Sequence, residues 1–288
     1  MSNTKILVTG ATGQLGRLVI QSLLKRLAAD TIIAGVRDPA RAADLAALGV
    51  EVRAVDYSKP EMLAAAFAGV DRLLLISSSE VGARAAQHRN VVDAASKAGV
   101  GLLAYTSLLG GETSPLPLKA EHVATEDYIR ASGLPFVLLR NGWYLENYNG
   151  FIPSALDHGV VAGAAGEGRI SAAARADYAE AAALVLTEGV AHAGQIYELA
   201  GDTAFTMTEW AAALSAASGK PVRYHDMTEA DYRALLVQVG LPAPVADLLS
   251  SSDAGAAKGG LFDDSGTLGR LIGRPTTSLA TVLKAAVV

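Results

Sequence analysis

Three glycines near the start of the chain are the first residues whose spacing implies chemistry. In Val8-Thr9-Gly10-Ala11-Thr12-Gly13-Gln14-Leu15-Gly16 a short apolar run passes directly into a segment of helical apolar period. Gly10 permits a tight strand-to-helix turn, Gly13 lets the backbone approach a pyrophosphate, and Gly16 lets the helix lie close to the sheet. The amide N–H groups at Thr12, Gln14 and Leu15 would then face the anion at a helix N-terminus. A plain tight turn is the alternative, but the motif sits between a first strand and a first helix, which is the context a dinucleotide fingerprint requires. The next informative position ends the second strand, where Gly35-Val36-Arg37 stands in place of the acid that would accept the ribose hydroxyl of NAD. Arg37 can pair with a 2′-phosphate and stack on adenine, which favours NADPH. Asp38 follows at once and keeps an NAD-type reading open, as does a purely structural Arg37 at the strand end. Ser77, Ser78 and Ser79 follow the fourth strand, on the edge that the nicotinamide half must pass, unless they form a plain serine loop.

These residues need a parallel sheet to bring them to one edge, and the sequence supplies its pieces. Apolar runs at Ile6–Val8, Thr31–Gly35, Glu51–Val55, Arg72–Ile76, Leu102–Tyr105 and Phe136–Leu139 alternate with Ala-rich segments of helical length. Runs without polar alternation suit strands buried on both faces. Asp38-Pro39 and Ser58-Lys59-Pro60-Glu61 read as helix starts, while Gly49 and Gly99 read as stops. Beyond Arg140 the rhythm loosens into helices at Ala176–Glu188 and Met207–Ser218, an edge strand at Gln195–Leu199, and a mostly helical tail with a flexible glycine-rich stretch at Ser250–Gly260. The expected class is α/β, an NAD(P)-binding Rossmann fold with a mostly parallel, doubly wound sheet and a smaller C-terminal substrate lobe. Residues 1–150, with 170–200 returning, form the expected nucleotide-binding body, and 151–288 the mainly helical lobe.

Composition narrows the function further. The 288 residues include no cysteine, which excludes disulfide scaffolds, thiolate metal sites and a catalytic thiol. Basic residues number 24 against 29 acidic ones, with no basic stripe, so nucleic acid is not an expected partner. No apolar run approaches the ~20 residues of a spanning helix, and Ile6–Val8 is too short for a secretory leader. A cytoplasmic protein is expected. Gly219-Lys220-Pro221 lacks a phosphate-cradling loop, and there is no Gly-x-Ser-x-Gly elbow. His88, His122, His158, His192 and His225 never fall four apart, so no helix presents a histidine pair to a metal.

Four further stretches carry a family resemblance: Tyr105-Thr106-Ser107, His122-Val123-Ala124-Thr125-Glu126, Leu138 through Asn147, and Ile272-Gly273-Arg274-Pro275-Thr276-Thr277-Ser278-Leu279. With the glycine turn they resemble the NmrA-like branch of atypical short-chain dehydrogenase/reductases over nearly the whole chain. Within that branch the chain is most similar to NADPH-dependent quinone oxidoreductases, with triphenylmethane-dye reductases as relatives. The resemblance implies cofactor contacts at Asp56, on the adenine amino group, and at Tyr105, Thr106, Asn141, Gly142, Trp143 and Arg175. Ser107 takes the place of the superfamily's catalytic serine.

One departure bears on mechanism. Members of the superfamily carry Tyr-x-x-x-Lys on the helix after the fifth strand, with a Glu four residues beyond the Lys in related proteins. Anchoring on Glu126 puts His122 at the Lys position and Leu118 at the Tyr position, so the phenolic acid is absent. An ordinary ketone needs that acid for its alkoxide, whereas a quinone accepts hydride to give a weakly basic phenolate. The expected reaction is therefore hydride transfer from NADPH to a small flat quinone-like acceptor in a cleft between body and lobe, with a homodimer as the candidate assembly. Ser107, His122, Asn141 and Tyr144 are the candidates for contact with the reacting groups. Each has a bland alternative: a loop serine, a satisfied helix histidine, or, for Trp143 and Tyr144, core packing. Arg175 has one too, a capping pair with Asp177. A redox sensor that binds dinucleotide without turnover is the competing expectation, and Leu118 suits it equally.

Overall fold

The computed structural model describes residues 4–287. Its strands are β1 (Ile6–Val8), β2 (Ile32–Val36), β3 (Glu51–Ala54), β4 (Arg72–Leu75), β5 (Leu102–Leu108), β6 (Phe136–Asn141), β7 (Val160–Gly163), β8 (Ile196–Leu199) and β9 (Arg223–Asp226). A seven-stranded sheet has the order β3-β2-β1-β4-β5-β6-β8, and the pairings from β3 to β6 are all parallel. The order reverses between β1 and β4, where Leu7 is level with Ile33 on one side and Leu73 on the other. Connections leave these two neighbours in opposite directions, so a crevice opens beyond their carboxyl ends, the usual place for a ligand in such a sheet. This is the Rossmann-type α/β fold anticipated from the apolar runs.

The chain divides into two compact units, Met1–Gly111 with Ala120–Asn141 and Arg175–Tyr197, and Glu112–Lys119 with Gly142–Ala174 and Glu198–Val288. In the first, the helix Gln14–Leu24 buries Leu15, Gly16, Val19, Ile20 and Leu23, the spacing of one helical face. Leu7, Ile33, Leu63, Phe67, Leu73, Val91, Leu103 and Tyr105 share one core. Each large apolar side chain there contributes about 1.5–3 kcal/mol by leaving water. In the second unit the helix Met207–Ser218 starts where the sequence places it because Thr206 and Glu209 form a reciprocal capping box.

Two features differ from the sequence reading. β7 and β9 form a separate parallel pair: β9 opens the tail expected to be mostly helical from Val222 onward, and β7 lies in the stretch after Arg140 for which no strand before Gln195 is expected. Ser250–Gly260 is not a flexible stretch: the helix Ala243–Ala257 runs through most of it, burying Ser250, Ser252, Gly255 and Ala256. Small side chains serve packing here, since a Cβ on Gly255 would come within 2.5 Å of Leu116 Cδ2.

Candidate functional site

At the carboxyl ends of β1, β2 and β4 lies a cavity of about 380 Å³. The glycine turn forms one wall, through Gly10, Thr12, Gly13, Gln14, Leu15 and Gly16. Gly10 has φ +59°, a conformation that a side chain opposes, and its carbonyl accepts the Gly13 N–H at 2.9 Å. A Cβ on Gly16 would stand 2.4 Å from the Gly10 oxygen and 2.7 Å from Ala11 Cα. The helix that begins here has Gly13 as its N-cap, no capping side chain and no acid in its first turn. Its first N–H groups are therefore not satisfied by the chain itself, and its dipole favours an anion at this end. A tight turn closed to a Cβ at Gly16 and lined by uncommitted amides fits a pyrophosphate.

The opposite wall holds Arg37, Asp56, Ser77 and Ser78, all singled out from sequence, along with Ser79. Sequence reasoning missed Arg41, Tyr57, Glu80 and Gln87, which line the same cavity. For Arg41 there was a signal: it is the second cation in Arg37-Asp38-Pro39-Ala40-Arg41, one short helix from the first. Asp38 does not act as an NAD-type acid toward this wall in the present arrangement. It caps that short helix, accepting the Ala40 N–H at 3.0 Å. The floor is tied together by Thr9, whose hydroxyl donates to Leu74 O at 2.9 Å and accepts from Ile76 N–H at 3.0 Å. The Tyr57 hydroxyl lies within hydrogen-bond reach of both Thr9 Oγ1 and Ile76 O. Burial pushes that phenol up, so it stays protonated.

Behind the serine loop runs a buried polar network in the same unit. Ser77 N–H donates to Thr106 Oγ1 at 2.9 Å, and Ser78 N–H to His88 Nε2 at 2.9 Å. Because Nε2 accepts, His88 carries its proton on Nδ1 and donates to Thr125 Oγ1 at 3.0 Å. Tyr105 packs edge-on to His88, with ring centroids 5.3 Å apart, and its hydroxyl meets His122 Nδ1 at 2.8 Å. Tyr105 is fully buried, so it supports the serine loop's neighbourhood from beneath and is not part of the cavity wall. Burial, then the Arg84 charge, lowers His122 to about 3, and burial with His122 and Arg84 lowers His88 to about 3. Both imidazoles are neutral at working pH.

Ser107 is also buried, and its hydroxyl donates to Glu126 Oε1 at 2.6 Å. Glu126 accepts from Arg140 Nε at 2.9 Å and Nη2 at 2.6 Å, a bidentate clamp, and from Arg130 at 2.9 Å. Burial alone would raise the Glu126 carboxyl, but the Arg140 and Ser107 hydrogen bonds and the two guanidinium charges hold it below its usual range. The Ser107 proton is committed to this cluster. Asn141 ends β6 and is buried, with its carbonyl accepting Leu109 N–H at 3.1 Å. Gly142, Trp143 and Tyr144 belong to the second unit, where Gly142 N–H donates to Leu199 O at 2.8 Å and Tyr144 bridges to Ala173. Trp143 and Tyr144 are both half-buried, and so is Arg175, which opens the helix Arg175–Glu188. Among the described residues, no group of histidines and carboxylates could hold a metal, and no helix is long and apolar enough to cross a membrane.

The model of the NmrA-like family matches residues 2–274. The chain is 58% identical over 275 residues to quinone oxidoreductase 2 of Escherichia coli (strain K12), covering 96% of each. Its fold superposes with a TM-score of 0.95 on the NADPH complex of an NADPH-dependent quinone oxidoreductase from Escherichia coli, at 57% identity, over 97% of this chain and 99% of that one. The NADP(H) complex of Citrobacter sp. triphenylmethane reductase gives 0.94 at 41% identity, over 98% of this chain and 100% of that one.

Proposed function

Because the chain belongs to the NmrA-like family, we propose that it is an NADPH-dependent reductase that passes hydride to a quinone or a similar flat, electron-poor acceptor. The observation that carries this reading is the cleft at the β1/β4 reversal, where an uncapped helix N-terminus and Arg37 share one cavity. When bound, NADPH supplies the hydride from C4 of its nicotinamide. The amides of Thr12, Gln14 and Leu15 would hold the pyrophosphate, Arg37 and Arg41 the 2′-phosphate, and Asp56 the adenine amine. Ser77 and Ser78 would line the path toward the nicotinamide, kept in place by Thr106 and His88. We assign Asn141 and Gly142 to the carboxamide, Trp143 and Tyr144 to flat aromatic walls, and Arg175 to a cofactor contact.

Ser107 and His122 serve as positioning residues in this account. Ser107 fixes the end of β5 through Glu126, and His122 is held by Tyr105, so neither supplies an ionised acid. The acceptor gains two electrons and a hydrogen as hydride, and the resulting phenolate takes its proton from water. Rate enhancement then rests on proximity and orientation. A cysteine-free composition suits the reducing cytoplasm, which we propose as the compartment.

Two measurements test these assignments. Arg37→Asp should weaken NADPH at least about thirtyfold, since a charge-assisted pair of about 1.5–3 kcal/mol is lost and repulsion added, while NADH changes little. Calorimetric titration with both nucleotides reads this directly, and equal losses would remove the 2′-phosphate role. Single-turnover hydride transfer should be flat from about pH 5 to 9, because His88 and His122 titrate at about 3. An inflection between about pH 6 and 7 that disappears in His122→Asn or His88→Asn would mean that an imidazole ionises during the reaction, whereas one that persists would belong to another group such as Asp253, whose carboxyl burial pushes up to about 6. The regulatory reading shares Leu118 and the cleft, and differs only in lacking turnover.

A further inference from the structure

The loop after β4 folds a carboxylate back onto the arginine that the cofactor needs. Glu80 Oε1 lies 2.9 Å from Arg37 Nη1, and its other oxygen accepts from Gln87 Nε2 at 2.7 Å. The backbone of this residue is held as well, its N–H donating to Ser78 Oγ at 3.2 Å. The loop is pinned on either side: Arg84 Nε donates to Ser78 O at 2.7 Å, and Gly82 N–H to Glu121 Oε1 at 3.0 Å. Gln87 is 6% exposed and itself lines the cavity, so the carboxylate is anchored on a buried amide and does not wave in solvent. Arg41, on the same wall, has no ion-pair partner among the described residues.

We propose that Glu80 is an internal stand-in for the 2′-phosphate, a selectivity-determining residue that occupies Arg37 until NADPH displaces it. This inference rests on the cleft being the NADPH site. A 2′-phosphate carries more negative charge than a carboxylate and presents three oxygens, so it outcompetes Glu80 for Arg37, but only after that pair has been broken. NADH has no group to make the exchange and leaves the pair intact. Glu80 therefore reduces the preference for NADPH over NADH below what Arg37 and Arg41 alone would give. Because Arg37 is 70% and Glu80 47% exposed, the effect is bounded by what a solvent-screened pair can contribute.

Glu80→Gln, which keeps the hydrogen-bonding shape and removes the charge, should tighten NADPH about two- to fivefold with NADH unchanged, read by calorimetric titration of both nucleotides. In an Arg37→Gln background the same substitution should have no effect on NADPH, since its partner is gone. An unchanged or weaker NADPH affinity in Glu80→Gln would overturn the proposal, as would the same gain with Arg37 absent, which would mark a general charge effect. Arg37→Gln alone separates the premises. If it weakens NADPH and Glu80→Gln gives no gain, only the stand-in role fails. If it binds NADPH as well as the parent chain, the 2′-phosphate role of Arg37 fails first, and the stand-in role with it.

Discussion

Replacing Gly16 with alanine should weaken NADPH binding at least about a hundredfold. The added Cβ would sit 2.4 Å from Gly10 O, 2.7 Å from Ala11 Cα and 3.0 Å from Gly10 C. All three are backbone atoms, so no rotamer change relieves the clash and the turn itself must open. Opening it withdraws amides from the anion, and hydrogen bonds to a charged group contribute about 1.5–3 kcal/mol each, so losing two is enough for two orders of magnitude. Gly13→Ala is the graded control. Its Cβ would meet only Gly10 O, at 3.1 Å, and a few tenths of an ångström of give should leave most of the affinity. Calorimetric titration of both variants, with circular dichroism to show that each is folded, checks the order. Equal losses would mean that the turn is more pliable than its packing indicates.

The second large effect is on stability. Arg140→Met should cost about 3–5 kcal/mol near neutral pH, because it strips the bidentate partner from a carboxylate that is 1% exposed. Arg130 remains on Glu126 but is itself one-third exposed, and Ser107 offers one neutral hydroxyl. The sign with pH follows from the lowered Glu126 carboxyl. In the parent chain its contribution is complete above the ordinary value of 4.5 and is lost as pH falls through the lower native value. In the variant, burial is opposed by fewer partners and the carboxyl protonates more readily. The difference between the two proteins should therefore shrink as pH falls below about 4.5. Urea unfolding at neutral and acid pH measures it, and a constant difference would point to lost packing by the arginine stem. Because Ser107 donates into this clamp, the same variant also loosens the end of β5.

What the sequence made legible was whatever is encoded locally. The glycine turn could be read because its chemistry is backbone chemistry within seven residues, Gly10 to Gly16. The first six strands could be read because strands buried on both faces leave continuous apolar runs, and the helix at Met207 because Thr206 and Glu209 cap it within one turn. β5 runs on to Leu108, past the expected Tyr105, because β6 continues alongside it to Asn141 and pairs with Thr106 and Ser107 in spite of their polarity. β7 and β9 escaped for a related reason. They are four residues each, β9 carries Tyr224, His225 and Asp226, and they join stretches about sixty residues apart, so neither shows a period of its own.

The site divides along the same line. Arg37 was visible by its place after a strand, but its pairing with Glu80, 43 residues later, depends on how the serine loop folds back. The role of His88 was likewise hidden: in the sequence it is only one of five histidines of which no two fall four apart, and the fold alone brings Ser78 N–H and Thr125 to its two nitrogens. Ser107 was expected to face a reacting oxygen, and the fold instead directs its proton to Glu126. This shifts the chemical account further toward a reaction that needs no strong acid from the protein, the property that separates quinone reduction from ketone reduction.

Anaerobic mixing of the NADPH-loaded protein with benzoquinone, following nicotinamide absorbance and hydroquinone together, separates hydride transfer from cofactor binding alone. One hydroquinone is expected per NADPH oxidised, at a rate proportional to protein and slowed when deuterium replaces the transferred hydrogen at nicotinamide C4. Tight NADPH binding with no protein-dependent oxidation would contradict hydride transfer and leave a dinucleotide sensor.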